Sequence, residues 1–306
     1  MRLASIYYAG REQAGVILPG GLLPLDRLNA RFGWNYPGDL LSLLETGSLV
    51  SLNDWFRAAG EKELSDLDTQ LLPAETVSFA PLYRRPRKIW GIGLNYKAHA
   101  RDLSEKAPET EPASFMKPDT TIIGPGDTIL IPRQSERTTA EAELGIVIGK
   151  ECKNVPREDW LSVVAGFTTI LDMTAEDILR RNPRYLTRSK SFDTFFSFGP
   201  LLVTPDEIDD VQNLTVSTVL NGQVRAYDRV DNMTFPPDFL VSFHSAVMTL
   251  LPGDIISTGT PGAAPIQDGD RVECRIDGFE TLFNPVRDLK NTAVTVNSLR
   301  RSPIQT

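Results

Sequence analysis

The pattern of apolar and polar positions changes near residue 82. Before it, leucine-rich stretches recur with helical spacing; after it, short apolar runs are separated by turns rich in Gly and Pro. A basic, proline-interrupted segment, 84–88, marks the change. We therefore predict an α+β protein with a small N-terminal α/β domain, residues 1–82, and a strand-rich domain, residues 83–306. The strand spacing of that second domain favours a mixed β-roll or barrel over βαβ units.

Within the N-terminal part, the pattern predicts a β-hairpin and then helices. The hairpin pairs 3–8 with 15–18, and the helices are expected over 37–45 and 53–59, each ended by a glycine. Helical spacing continues over 65–71. The leucines and aromatic residues of these segments are expected to form core.

The stretch 139–149 combines a β-branched run with two acidic residues. Side chains two apart in a strand point to the same face, so Glu141 and Glu143 are expected side by side, about 7 Å apart along the backbone. The next strand-like segment ends at Asp172, before a predicted helix start with Thr174 as N-cap. These three acids have two interpretations. They either line the solvent-facing edge of strands, or they bind a cation that offsets their repulsion.

The ligand chemistry of such a site limits the choice of cation. Three carboxylates without a nearby His or Cys favour Mg²⁺, Mn²⁺ or Ca²⁺ over Zn²⁺. The two cysteines, Cys152 and Cys274, are too far apart in sequence for a zinc motif and are expected to be free thiols.

Composition narrows the class of protein. Its 306 residues are 41% hydrophobic and 24% charged, as in globular proteins, and no apolar run is long enough to span a bilayer. A net charge of −8 argues against nucleic acid or an anionic membrane as a partner. With no signal-peptide core at the start, we expect a cytoplasmic protein that acts on a small molecule.

The order of several short motifs resembles the fumarylacetoacetate hydrolase family, over roughly residues 85–290. The motifs are Gly93-Leu94-Asn95-Tyr96-x-x-His99, Phe115-Met116-Lys117-Pro118, Glu141-x-Glu143, Asp172, Lys190-Ser191-Phe192-Asp193-Thr194-Phe195, Gly199-Pro200 and Thr258-Gly259-Thr260-Pro261-Gly262. The resemblance, to members of the acylpyruvase or 2-hydroxyhepta-2,4-diene-1,7-dioate isomerase type, implies a mixed β-roll catalytic domain. It also implies Mg²⁺ or Mn²⁺ bound by Glu141, Glu143 and Asp172, a homodimer, and 2-oxo or 2,4-dioxo acid substrates.

Hydrolysis of a carbon–carbon bond in such an acid needs a water nucleophile, a base and donors for the oxyanion. His99 is the candidate base, whereas His244 lies in an apolar, helix-like stretch and is expected to be a core residue. Family members often pair this base with a Glu three residues later. Here that position is Asp102, which is one methylene shorter, and Glu105 is the alternative. Glu273 is a more distant candidate, expected instead to be an exposed strand carboxylate.

The resemblance also assigns substrate-binding residues. It implies that Lys190 points at the substrate as a fixed cation and that Thr260, with Gly259, binds the substrate carboxylate. Lys117 and Tyr96 are further candidates, although packing explains them nearly as well. The predicted activity is metal-dependent hydrolysis of an acylpyruvate-like or fumarylpyruvate-like 2,4-dioxo acid, as in aromatic catabolism. The alternatives are oxaloacetate decarboxylation, isomerisation or tautomerisation of a 2-hydroxy-2,4-dienedioate, and a non-catalytic metal-stabilised binding protein.

Overall fold

The chain folds into two mixed β-sheets with helices packed beside them. The computed structural model describes residues 1–59, 66–73, 76–97, 108 and 110–291. The strands are β1 Arg2–Tyr8, β2 Arg11–Leu18, β3 Gly21–Pro24, β4 Ser78–Phe79, β5 Ile89–Gly93, β6 Ala113–Met116, β7 Ile122–Ile123, β8 Ile129–Ile131, β9 Thr138–Ile148, β10 Val164–Ala175, β11 Phe196–Phe198, β12 Leu201–Val203, β13 Thr215–Leu220, β14 Gln223–Arg229, β15 Ile255–Ser257, β16 Ala263–Ile266, β17 Arg271–Ile276 and β18 Leu282–Asp288.

The α-helices are short. They are α1 Leu25–Phe32, α2 Leu40–Glu45, α3 Ser48–Ala58, α4 Glu176–Arg181, α5 Leu186–Lys190 and α6 Pro237–Val247. Single 3₁₀ segments occur at Asp68–Gln70, Asp119–Thr121, Arg157–Val163, Pro183–Tyr185, Pro205–Glu207, Val211–Asn213, Val230–Asn232 and Leu289–Asn291. Among the described residues, no helix is long and apolar enough to cross a bilayer.

The larger sheet has the strand order β3-β2-β1-β12-β10-β9-β15-β5-β6, with β4, β7, β11 and β16 paired beside this path. The smaller sheet has the order β14-β13-β17-β18-β8. Most pairs are antiparallel, and β15–β5, β11–β7 and β18–β8 are parallel. The α+β expectation is confirmed. For the strand-rich part, the sequence predicts a mixed β-roll or a barrel. The described residues form two open sheets and no closed barrel.

The β9–β10 pair is the centre of the larger sheet. It is antiparallel along nearly its whole length, and both strands are buried on both faces. Alternate residues of β9, from Ala140 to Ile148, pack between the two sheets. On the opposite face, Val147 of β9 and Ile170 of β10 pack with the leucines of the N-terminal helices. Groups on either face are therefore shielded from water.

The N-terminal strands extend the larger sheet, because β1 pairs with β12 as well as with β2. The structure contains the predicted hairpin and helices, although α3 begins five residues before its predicted start and α1 was not predicted. Of the helical continuation expected over 65–71, residues 66–71 are described, and they contain only the short 3₁₀ segment at 68–70. A division at residue 82 stays a prediction.

Candidate metal and active site

The β9–β10 pair brings the three predicted acids together. Glu141 and Glu143 share one face of β9, and the register places Asp172 directly across from Glu141. One carboxylate oxygen from each residue lies within 4.8 Å of the others, and all three side chains are buried. The interpretation of these acids as a solvent-facing strand edge is therefore wrong.

Two lysines enter this cluster from different elements. Lys190, the last residue of α5, donates from Nζ to Glu141 Oε2 and to Asp172 Oδ2, both at 2.7 Å. Lys117, just after β6, donates to Asp172 Oδ1 at 2.5 Å and to the carbonyl oxygen of Lys190. The ring of Phe115 lies 5.1 Å from the Lys190 ammonium. The structure thus places both predicted lysines at the acidic cluster.

The pKa values of the two ammonium groups are shifted in opposite directions. Burial lowers the pKa of Lys117 below its usual value, and the neighbouring positive charge of Lys190 adds to this effect. Burial also acts to lower the pKa of Lys190, but the charges of Asp172, Glu141 and Glu143 outweigh it, so the pKa of Lys190 is raised. Lys190 is therefore a permanent cation at neutral pH.

Glu143 is bound by neutral donors. Its Oε2 accepts hydrogen bonds from Ser257 Oγ at 2.5 Å and from the backbone N–H of Gly259 at 2.9 Å. Burial and the negative charge of Asp172 raise the pKa of Glu143 to about 8. Two ammonium groups lie among the three carboxylates, and they donate hydrogen bonds to Glu141 and Asp172 but not to Glu143.

Thr174 belongs to this site and is not an N-cap. Strand β10 continues to Ala175, and α4 then begins without a side-chain cap, so the predicted cap is wrong. Because Thr174 stays in the strand, its side chain lies on the same face as Asp172, and its hydroxyl donates to Glu141 Oε1 at 2.8 Å. The sequence signal for this contact was the two-residue spacing from Asp172.

The remaining substrate-binding candidates also lie near the cluster. Gly259 contacts Glu143 directly, with a φ of +95° that favours glycine. Thr260 is buried, and its hydroxyl donates to the carbonyl of Gly262 at 3.1 Å. Tyr96 is fully buried, and its hydroxyl has no hydrogen-bond partner among the described residues. Burial and the charges of Asp228 and Glu143 raise the pKa of Tyr96.

The candidate water-activating residues lie outside the described residues. These are His99, Asp102 and the alternative Glu105. Their roles stay predictions.

The other two candidates of the sequence analysis lie elsewhere. His244 is a hydrogen-bonded core residue, as predicted: Nδ1 bonds the Leu240 carbonyl at 2.7 Å, and Nε2 lies 2.8 Å from Ser114 Oγ. Glu273 is not the exposed carboxylate expected, because Arg271 and Arg275 fold over it in ion pairs of 2.9 and 2.6 Å.

The donor set fits a divalent cation. All three acids offer hard carboxylate oxygens, the preferred ligands of Mg²⁺, Mn²⁺ and Ca²⁺. The raised pKa of Glu143 reflects a deficit of positive charge at that carboxylate, which a divalent cation would remove.

Comparison with known proteins agrees with this geometry. A sequence model described as "Fumarylacetoacetate (FAA) hydrolase C-terminal" matches residues 88–287, which is more than half of the chain. The chain belongs to the fumarylacetoacetate hydrolase family. The predicted family and fold type are thus confirmed.

Relatives within the fumarylacetoacetate hydrolase family carry out different reactions. The mitochondrial oxaloacetate tautomerase Fahd2a of Rattus norvegicus is 36% identical over 224 residues, covering 71% of this chain and 71% of that protein. Maleylpyruvate hydrolase from Sphingobium sp. SYK-6, in complex with manganese (II) ion and pyruvate, has a TM-score of 0.75 and 29% identity, covering 94% of this chain and 99% of that chain. For 2-hydroxyhepta-2,4-diene-1,7-dioate isomerase from Mycobacterium marinum, the TM-score is 0.70 and the identity 29%, over the same shares of the two chains.

Proposed function

We propose that this member of the fumarylacetoacetate hydrolase family is a Mg²⁺- or Mn²⁺-dependent enzyme that hydrolyses a carbon–carbon bond in a small 2,4-dioxo acid, such as an acylpyruvate. The observation that carries the proposal is the buried cluster of Glu141, Glu143 and Asp172 with Lys190 held against it. Burying the Lys190 ammonium is costly in desolvation, and its positive charge beside a bound divalent cation would suit an anionic substrate. A homodimer, implied by the family resemblance, is part of the proposal.

The three acids would hold the divalent cation, with Ca²⁺ as a further possibility. The cation supplies a Lewis acid for the oxygen atoms of the substrate. The Lys190 ammonium stays charged and neutralises negative charge that develops on the substrate. Lys117 holds Asp172 and the end of α5 in place, so that Lys190 keeps its direction.

The hydrolytic step needs residues beside the cluster. His99 takes the proton from the attacking water, and Asp102 orients the His99 ring. The Tyr96 hydroxyl, buried without a partner in the described part of the chain, is available to donate to a substrate oxygen. The Gly259–Thr260 loop binds the substrate carboxylate.

A second candidate function is tautomerisation of oxaloacetate or a similar 2-oxo acid. The 36% identity to an oxaloacetate tautomerase favours it. Tautomerisation moves a proton between carbon and oxygen and needs no water nucleophile, so it would use the same acids and Lys190 without the Asp102-dependent step. Decarboxylation of oxaloacetate differs from it in breaking a carbon–carbon bond: the distal carboxylate leaves as CO₂, and protonation of the remaining enolate gives pyruvate.

The test is an assay of an acylpyruvate and of oxaloacetate with Mn²⁺, with products identified by NMR. It compares wild type with Asp102→Asn and His99→Ala, and uses Asp209→Asn, which removes an exposed carboxylate, as the control. Cleavage of the acylpyruvate that both site variants lose and the control keeps supports hydrolysis. Interconversion of keto and enol forms without cleavage identifies a tautomerase, and loss of CO₂ from oxaloacetate identifies a decarboxylase.

A thermal measurement separates an enzyme from a protein that uses the cation only for structure. Oxalate, an analogue of the 2-oxo acid group, should raise the melting temperature of the enzyme only when Mg²⁺ is present. If Mg²⁺ stabilises the protein and oxalate adds nothing, the cation is structural and the proposal fails.

A further inference from the structure

Asn95 connects three loops around the acidic cluster. It follows β5 and is fully buried. Its Nδ2 donates to the carbonyls of Thr258 at 2.7 Å and Phe235 at 3.0 Å, and its Oδ1 accepts from the N–H of Phe235 at 2.9 Å. The two bonds to Phe235 fix which end of the amide is oxygen, because a backbone N–H needs an acceptor and a carbonyl needs a donor.

The bond to Thr258 controls the direction of a peptide group beside Glu143. In a trans peptide, the carbonyl of one residue and the N–H of the next point in opposite directions. Since Asn95 holds the Thr258 carbonyl, the N–H of Gly259 points the other way, towards Glu143 Oε2 at 2.9 Å. If this peptide turned over, its carbonyl oxygen would face the carboxylate and repel it.

Gly259, without a side chain, restricts the turning of this peptide less than another residue would. Its φ of +95° lies in the region that glycine tolerates, and a side chain there would approach Asn95 Cβ to 2.8 Å. The loop therefore needs glycine for close contact with Asn95, and it needs the Asn95 amide to choose the direction of the peptide.

The direction of the peptide determines how Glu143 meets a cation. Among the described residues, the hydrogen bonds to this carboxylate, from Ser257 Oγ and Gly259 N–H, both go to Oε2. Oε1 is thus the oxygen left for a ligand. Hydrogen bonds of this kind fix the orientation of a carboxylate ligand and so raise its affinity for the metal.

We propose that Asn95 is a positioning residue for the divalent cation, acting through the Thr258–Gly259 peptide on Glu143. The inference rests on the proposed function, since it requires that the acidic cluster bind a cation. In this role, Asn95 itself contacts neither the cation nor the substrate.

Asn284 offers a matched control. It is also fully buried, and its Nδ2 also donates to two backbone carbonyls, those of Gly124 and Asp127, both at 2.8 Å. Asn284→Ala therefore removes the same number of buried amide bonds as a change at Asn95 removes from Nδ2, but from a turn instead of the peptide beside Glu143.

The experiment is a calorimetric titration of the full chain with MnCl₂ for wild type, Asn95→Ala, Asn95→Ser and Asn284→Ala, with a melting curve for each. We expect both Asn95 variants to bind Mn²⁺ about tenfold or more weakly than wild type. Asn284→Ala should lose comparable thermal stability and keep the wild-type affinity. The serine variant keeps a hydroxyl that can bond Phe235, so a folded protein is available if the alanine variant fails to fold.

Two results would overturn the inference: wild-type Mn²⁺ affinity in the Asn95 variants, or an equal loss of affinity in Asn284→Ala. Failure of the proposed metal site gives a different result, because wild type itself would then bind no Mn²⁺. Failure of the proposed hydrolysis alone appears in the substrate and oxalate assays and leaves the Mn²⁺ affinities of the Asn95 variants as predicted.

Discussion

At the scale of single residues, the two lysine ammonium groups are distributed unevenly among the three acids of the cluster. Lys190 bonds Glu141 and Asp172, and Lys117 adds a second bond to Asp172. Within the described part of the chain, Glu143 accepts hydrogen bonds only from a hydroxyl and a backbone N–H. Because a buried carboxylate without a countercharge is costly, Glu143 is the residue whose ionised form depends most on a bound cation.

Glu143→Gln should therefore abolish stabilisation by divalent cations. With Mn²⁺ at about 100 times its dissociation constant, linkage gives wild type about 2.7 kcal/mol, or a melting temperature higher by roughly 5 °C. The variant should show no Mn²⁺-dependent rise and no turnover, because it lacks a ligand charge. Differential scanning fluorimetry with and without Mn²⁺ measures the shift.

The control for this change is Glu273→Gln, which also neutralises a buried strand carboxylate. It breaks the ion pairs to Arg271 and Arg275 and so lowers stability, but the rise with Mn²⁺ should stay as in wild type. A normal Mn²⁺ shift in Glu143→Gln would remove Glu143 from the metal site.

Thr174→Val should weaken Mn²⁺ binding about tenfold, because the change deletes the hydroxyl bonded to Glu141 Oε1 while keeping the shape of the side chain. Thr139 is the matched control. It lies across from Thr174 in the β9–β10 register, is equally buried, and has a hydroxyl without a hydrogen-bond partner in the described residues. Titration calorimetry should find wild-type affinity in Thr139→Val, and equal affinities in the two variants would contradict the role of Thr174.

The sequence could predict part of this site. Strand alternation alone placed Glu141 and Glu143 on one face. The contributions of Thr174, Ser257 and Asn95 depend on which residues of distant strands lie opposite one another, and pairing register is not written in local periodicity. Thr174 was misassigned because a threonine before acidic residues also fits a helix start.

At the scale of elements, His244 links α6 to β6 through a hydrogen bond with Ser114. Its Nδ1 bonds the Leu240 carbonyl within the helix, which leaves Nε2 to accept from Ser114 Oγ. The ring also packs 4.7 Å from Trp90 of β5. Because Phe115 and Lys117 follow Ser114 closely in the chain and contact Lys190 and Asp172 of the cluster, the position of α6 affects the site.

The contact of α6 with β6 should weaken in acid. Burial lowers the pKa of His244 below the value of about 6.5 for an unfolded histidine, so the unfolded chain binds the proton more readily. The contribution of His244 to the free energy of unfolding should therefore fall as the pH drops below about 6.5, and this loss is absent at higher pH. Glu143 acts in the opposite direction, because its raised pKa favours the folded state as the pH drops through about 8. Urea denaturation of wild type and of His244→Gln between pH 5 and 8 therefore measures the His244 contribution as the difference between the two proteins.

The chain has only two histidines, which makes the assignment direct. The free energy of unfolding of wild type minus that of His244→Gln should fall as the pH drops from 6.5 to 5, whereas the same difference for His99→Gln should not change with pH. If the difference changed for His99→Gln instead, the acid sensitivity would not come from the α6–β6 contact.

Element boundaries show where sequence patterns were sufficient. Helix α2 begins after Asp39, whose carboxylate accepts from the N–H of Ser42, and its start lies within the predicted 37–45 segment. Helix α1 was missed because it follows directly on a buried strand and begins after Pro24 without a side-chain cap. Its burial against the larger sheet, not a local signal, stabilises it.

At the scale of the whole molecule, the larger sheet crosses the change in sequence pattern near residue 82. Strand β1 pairs with β12, and Ser5 Oγ donates to the carbonyl of Leu82 at 2.6 Å. The apolar cluster of the N-terminal helices also includes Phe196 and Phe198 of β11. Composition marked the place where the helical pattern ends, but it carried no information on strand pairing across that place.

This continuity predicts that residues 83–306 do not fold alone, although the family match begins only at residue 88. Removing the first 82 residues would leave β12 without its β1 partner and expose the face carrying Ile170 and Phe198, which is the same face of β9 and β10 from which Glu143 and Asp172 project. We expect this fragment to aggregate, or to melt without a cooperative transition and without stabilisation by Mn²⁺. Circular dichroism melting of the fragment beside the full chain decides the matter. A fragment with a cooperative transition and the full chain's Mn²⁺ response would instead establish residues 1–82 as an independent domain.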